Sequence, residues 1–126
     1  MKIIIIEDDH FFQNFYSVKL KELKYEVEVA GNGQEGMDKI KTFLPDLILL
    51  DLIMPVKDGF QVLAELKNDP VFSKIPIIIF STLGQDSDVK KAMDLGAKDY
   101  IYKSFFDFDN FIQRIIAFLP KPNDHK

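Results

Sequence analysis

The segment Pro45-Asp46-Leu47-Ile48-Leu49-Leu50-Asp51-Leu52-Ile53-Met54-Pro55 constrains this chain more than any other. Four consecutive aliphatic residues, Leu47 to Leu50, end in the carboxylate of Asp51, and Pro55 prevents a central strand from continuing. A run this short and apolar on both sides belongs in a parallel sheet covered by helices on each face. Lys2-Ile3-Ile4-Ile5-Ile6 repeats the design and runs directly into Glu7-Asp8-Asp9. Parallel sheets of this kind keep their chemistry beyond the carboxyl ends of the strands. Two buried strands therefore deliver acids to one rim.

The rest of the chain alternates in step with these runs. Five expected strands, 2–6, 25–30, 47–50, 77–80 and 99–102, alternate with five expected helices. The first helix carries Phe12, Phe15, Tyr16, Leu20 and Leu23 on one face, and the second turns Met37, Ile40 and Leu44 inward. In the third, Phe60, Leu63 and Ala64 face the sheet. The fourth, Gln85 to Leu95, uses Val89, Ala92 and Met93, with Gly96 as its C-terminal cap. Phe108, Phe111, Ile112, Ile115 and Leu119 define the fifth. Tyr25 to Ala30 alternates charge and valine, as a half-exposed edge strand does. The pattern predicts one α/β domain over 1–120, a doubly wound five-stranded parallel sheet with five helices, and a short tail over 121–126.

Composition removes several classes of function. With no cysteine among 126 residues, disulfides, thiolate zinc sites and cysteine nucleophiles are excluded. A net charge of -4 without a basic cluster leaves no footprint for nucleic acid or an anionic membrane. Apolar runs of four to six residues are too short for a membrane span or a signal-peptide core, so the expectation is a cytoplasmic domain.

Ligands of doubly wound sheets bind at the switch point between neighbouring strands that lead off in opposite directions. With strands one and three adjacent there, Glu7 and Asp8 lie beside Asp51. Two carboxylates about 4 Å apart repel by roughly 4 kcal/mol at an effective dielectric near 20, so three together require a cation or protons. An all-oxygen site with room for water suits Mg2+. Lys103 and Ser81, closing strands five and four, add a fixed positive charge and a hydroxyl. Acids, a divalent ion, a lysine and a hydroxyl form an apparatus for phosphoryl transfer, with Asp51 as candidate nucleophile.

Six pieces of the chain, in this order and spacing, carry a family resemblance: Ile5-Ile6-Glu7-Asp8-Asp9, Leu49-Leu50-Asp51-Leu52-Ile53-Met54-Pro55, Asp58-Gly59, Phe80-Ser81-Thr82, Gly96-Ala97 and Asp99-Tyr100-Ile101-Tyr102-Lys103. The chain resembles the receiver (CheY-like) domain of two-component response regulators, in its single-domain form. The resemblance implies a flavodoxin-like sheet of order 2-1-3-4-5 and phosphorylation of Asp51 by a sensor histidine kinase or histidine phosphotransfer protein. It implies Mg2+ held by Asp8, Asp51 and the backbone carbonyl of Ile53, with Glu7 acting through water. Ser81 and Lys103 would bind the phosphoryl oxygens. Tyr100 would be a switch that turns inward as Ser81 moves to the phosphate.

The implied function is a stand-alone phosphorelay switch, not an enzyme, whose surface of helix four, strand five and helix five controls a separate protein as a monomer or phosphorylation-dependent dimer. One departure is Ser104, where the family usually has proline; a cis bond before serine costs about 2.5–4 kcal/mol. It leaves a phosphorylation-independent interaction module as the alternative. Apolar Ile53 and Leu83, each two residues beyond a site residue, are expected to shield an acyl phosphate from water.

Plainer readings compete at several places. Asp9 suits the N-terminus of the first helix, and His10 is expected to be partly exposed beside it. Tyr100 and Tyr102 are expected to point one inward and one outward. The cluster Phe105-Phe106-Asp107-Phe108 is expected to be partly core and partly open to a partner. Gly31-Asn32-Gly33-Gln34-Glu35-Gly36 fits a dinucleotide fingerprint, with Asp51 at the expected distance. It falls, however, in the second strand–helix unit, and no substrate site follows. An Asn-Gly turn explains it better.

Overall fold

The computed structural model describes residues 1–103 and 107–119. Strands β1 (Lys2–Ile6), β2 (Glu26–Ala30), β3 (Leu47–Leu50), β4 (Ile77–Ser81) and β5 (Asp99–Tyr102) form one parallel sheet in the order β2-β1-β3-β4-β5. Helices α1 (His10–Glu22), α2 (Gly33–Phe43), α3 (Gly59–Lys67), α4 (Asp86–Asp94) and α5 (Phe108–Ile116) connect and follow them. A single turn of 3-10 helix, Phe72–Lys74, leads into β4. The peptide bond before Ser104, the pair Phe105-Phe106 and the tail containing His125 lie outside the described residues.

Each strand residue faces one of two cores, because side chains alternate along a strand. Ile4, Ile6, Ile48, Leu50, Ile77 and Ile79 pack with Met37, Ile40, Val62, Leu63, Leu66 and Ala92, from α2, α3 and α4. Ile3, Ile5, Leu47, Leu49, Ile78 and Phe80 pack on the other face with Tyr16, Leu20, Phe111, Ile112 and Ile115, from α1 and α5. Burying each of the larger aliphatic or phenylalanine side chains contributes roughly 1.5–3 kcal/mol, which explains the unbroken apolar runs Ile3–Ile6, Leu47–Leu50 and Ile77–Phe80.

Five expectations about helix faces and strand sides need correction, the first being Leu23, which is exposed rather than on the buried face of α1. Leu44 is not inward: it caps α2 in the left-handed conformation, φ 52°, and is exposed. In α3 the fully buried residues are Val62, Leu63 and Leu66, while Phe60 and Ala64 are half-buried and Phe60 lies under the Lys91 ammonium at 4.3 Å. Met93 is exposed, and Ala92, Val89 and Leu95 hold α4 to the core. Tyr100 and Tyr102 share a face, with ring centroids 5.4 Å apart, because residues two apart in a strand point the same way.

Helix ends follow local chemistry. Asp9 caps α1 by accepting from the N–H groups of Phe11 and Phe12, and His10 opens the helix exposed to solvent. Asp58 and Gln61 form a reciprocal capping box at α3. Asn32 caps α2 through the Glu35 N–H. In the glycine-rich segment, a Cβ on Gly33 would lie 2.2 Å from the Lys57 carbonyl and one on Gly36 would strike Ile6. Close packing thus accounts for both glycines without a dinucleotide.

Gly96 has φ +105° with open space around it, whereas a Cβ on Gly59 would lie 2.3 Å from the Asp51 carbonyl oxygen. Urea unfolding should show Gly96→Ala costing about 1–2 kcal/mol through backbone strain. Gly59→Ala should cost more, roughly 3 kcal/mol, because backbone must move.

Candidate functional site

The sheet ladder itself brings the acids together. Ile6 pairs with Ala30 on one side and Leu50 on the other. One residue further, the Glu7 N–H donates to the Ala30 carbonyl at 2.9 Å and the Asp51 N–H donates to the Ile6 carbonyl at 3.0 Å. Glu7 and Asp51 therefore emerge side by side at the carboxyl ends of β1 and β3. Both are buried, while Asp8 is exposed at the rim. One carboxylate oxygen from each of the three lies within 4.8 Å of the others.

Gly59 lets α3 begin directly behind Asp51, and its N–H donates to the Leu52 carbonyl at 3.0 Å. The Ile53 N–H reaches Asp51 Oδ1 at 3.4 Å, which sets the Ile53 peptide at the same rim; its side chain is exposed. Glu7 is held from the other side. The Asp9 N–H donates to Glu7 Oε2 at 3.2 Å, and the Gln13 side-chain amide donates to the Glu7 carbonyl.

Lys103 enters from β5 with its side chain only 6% exposed. Its ammonium pairs with Glu7 and lies 3.3 Å from Asp51 Oδ2. Ser81 is fully buried at the end of β4, and its hydroxyl oxygen accepts from the Leu83 N–H at 3.2 Å. Tyr100 already points inward. Its hydroxyl donates to the Leu83 carbonyl at 2.6 Å. Burial, then the nearby Asp88 carboxylate, pushes the Tyr100 phenol up to about 12. Leu83 is half-buried, and the Tyr102 hydroxyl fastens the next residue by donating to the Gly84 carbonyl at 3.0 Å.

The donor set fits a hard divalent ion. Oxygens bound directly to Mg2+ at about 2.1 Å are at most about 4.2 Å apart, so a group spanning up to 4.8 Å leaves room for one water-mediated contact. Asp8 and Asp51 could hold the ion with the Ile53 carbonyl, and Glu7 could reach it through water. Burial raises the Glu7 carboxyl most; the Lys103 bond lowers it and Asp51 raises it again, leaving it pushed up to about 7.

A carboxyl that binds its proton more tightly when folded stabilises the fold only while protonated. This contribution is complete below the unfolded value of 4.5 and is lost as pH rises through about 7. In chelator, urea unfolding should therefore show a loss of the order of 2 kcal/mol between pH 5 and 8 attributable to this group. Glu7→Gln should flatten that dependence.

Comparison with known proteins agrees with this geometry. The family model of the response regulator receiver domain matches residues 3–116. The DNA-binding dual master transcriptional regulator RpaA of Synechocystis is 36% identical over 118 residues, 94% of this chain and 48% of that protein. The transcriptional regulatory protein KdpE of Staphylococcus aureus is 39% identical over 104 residues, 82% of this chain and 44% of that protein. The chain thus spans about half the length of the curated relatives it matches. The BeF3-activated N-terminal receiver domain of Klebsiella pneumoniae RstA superposes with a TM-score of 0.88 at 27% identity, covering 96% of this chain and all 100% of that one. The Mn2+-bound form of the response regulator Rcp1 gives 0.79 at 26% identity, covering 95% and 99%. No helix among the described residues is long and apolar enough to cross a membrane. With the 2-1-3-4-5 sheet and the acids meeting at its rim, the chain belongs to the response regulator receiver domain family.

Proposed function

We propose that Asp51 accepts a phosphoryl group from a phosphohistidine on a sensor histidine kinase or histidine phosphotransfer protein. The observation that carries this reading is Lys103, buried between Glu7 and Asp51 at the rim where the three carboxylates meet. A carboxylate oxygen of Asp51 attacks phosphorus and the phosphorus–nitrogen bond breaks. Its electron pair stays on the imidazole, which takes up a proton. Asp8, Asp51 and the Ile53 carbonyl would hold Mg2+, with Glu7 acting through water. When bound, the ion offsets charge on the transferring group.

Lys103 and Ser81 then take phosphoryl oxygens. As Ser81 turns to the phosphate, its displacement favours the inward position of Tyr100, biasing the surface formed by α4, β5 and α5. The signal then passes across that surface to a partner, in our reading a separate protein. A phosphoacceptor that signals in this way is a switch rather than an enzyme acting on an external substrate. Ile53 at the rim and half-buried Leu83 shield the acyl phosphate and lengthen its life.

Acetyl phosphate with Mg2+ should add one phosphoryl group by intact mass, and chelation should abolish it. Asp51→Asn should remain folded and take up none. Undiminished labelling of that variant would refute the assignment, and an unlabelled wild-type protein would favour the phosphorylation-independent module.

A further inference from the structure

We propose that Phe12 positions Lys103 for phosphoryl transfer, its ring acting as a neutral seat for the ammonium; this rests on the phosphoacceptor reading above. The Lys103 ammonium stands 4.5 Å from the centroid of Phe12 and 5.7 Å from that of Phe80. Both distances fall within the range at which an aromatic face attracts a cation, an attraction that grows as the cation is desolvated. Here the lysine side chain is 6% exposed.

The carboxylates cannot do this work throughout the reaction. Glu7 and Asp51 are the groups that a metal ion and a phosphoryl group would engage, so the lysine must leave them to do its job. A phenylalanine ring changes neither charge nor position when that happens. It therefore keeps a side chain with four rotatable bonds aimed at the pocket while its ionic partners change. Lys103 is followed by serine, so no pyrrolidine ring restricts its outgoing backbone, which makes a side-chain support more consequential.

Phe12 is itself held from two directions. Its N–H donates to Asp9 Oδ1 at 3.2 Å in the first turn of α1. Its ring stacks on Tyr16 at 5.8 Å and meets Phe80 edge-on at 5.9 Å. An aliphatic residue could fill this space on the α1 face but would not attract a cation. Phe12 is thus a positioning residue, acting through Lys103 and touching no reacting atom.

The test compares Phe12→Leu with Phe12→Tyr in the full chain, using acetyl phosphate and saturating Mg2+. Phe12→Leu should lower the limiting phosphorylation rate about 3- to 10-fold, with little change in the phosphodonor concentration giving half that rate. Phe12→Tyr should restore it. Independently, the Lys103 ε-methylene proton signals should be shifted upfield by the ring in wild type and Phe12→Tyr, and move toward the free-lysine position in Phe12→Leu. Unchanged lysine signals in a folded Phe12→Leu protein would overturn the seat, whether or not the wild type labels. Wild-type labelling with equal rates in Phe12→Leu would overturn its role in transfer while leaving Asp51 as phosphoacceptor.

Discussion

The structure depends on the repulsion among three carboxylates that the sheet ladder forces to one rim. Backbone hydrogen bonds from Glu7 to Ala30 and from Asp51 to Ile6 fix those positions, and nothing about the acids themselves favours them. Each carboxylate would be better solvated apart. What makes the arrangement tolerable is the Lys103 ammonium, buried beside two of the three, together with a Glu7 that holds its proton to an unusually high pH. The fold thus maintains a site short of positive charge. Binding a divalent ion relieves that shortage, and so does protonation. Competition between the two ties metal affinity to pH.

The same rim is joined to the distant surface by short, stiff connections. Ser81 ends β4, the next residues bend through Leu83, and Tyr100 bonds back to the Leu83 carbonyl. Because Tyr100 and Tyr102 share a face, they fasten consecutive carbonyls of that loop, at Leu83 and Gly84. Tyr100 is inward in this structure, 7% exposed.

Much of this was legible in the sequence, and for identifiable reasons. The β1, β3 and β4 runs are apolar on both faces, a pattern that only a doubly covered sheet explains, and their terminal residues named Glu7, Asp51 and Ser81 as neighbours. Errors arose where one residue's fate depends on a helix end or on parity. Leu44 looked like the next inward residue of α2, but the helix terminates there in a left-handed turn before Pro45. Phe60 and Leu63 both pack on the core as their spacing suggests, but Val62 and Leu66, buried beside them, are fully inside as well. The contacts of Phe12 and Gln13 at the pocket had no sequence signal beyond helical spacing, since they arise from packing between elements far apart in the chain. Gly59 stood within a recognised motif, but its reason, close approach to the Asp51 carbonyl, is visible only in three dimensions.

The central claim is that Glu7, Asp8 and Asp51 converge on a single divalent ion. Anomalous diffraction from crystals grown with Mn2+ tests it most directly. The account predicts one strong peak in direct contact with carboxylate oxygens of Asp8 and Asp51, with Glu7 joined to it through water. A peak elsewhere, or none at this rim at a concentration that supports phosphorylation, would contradict it.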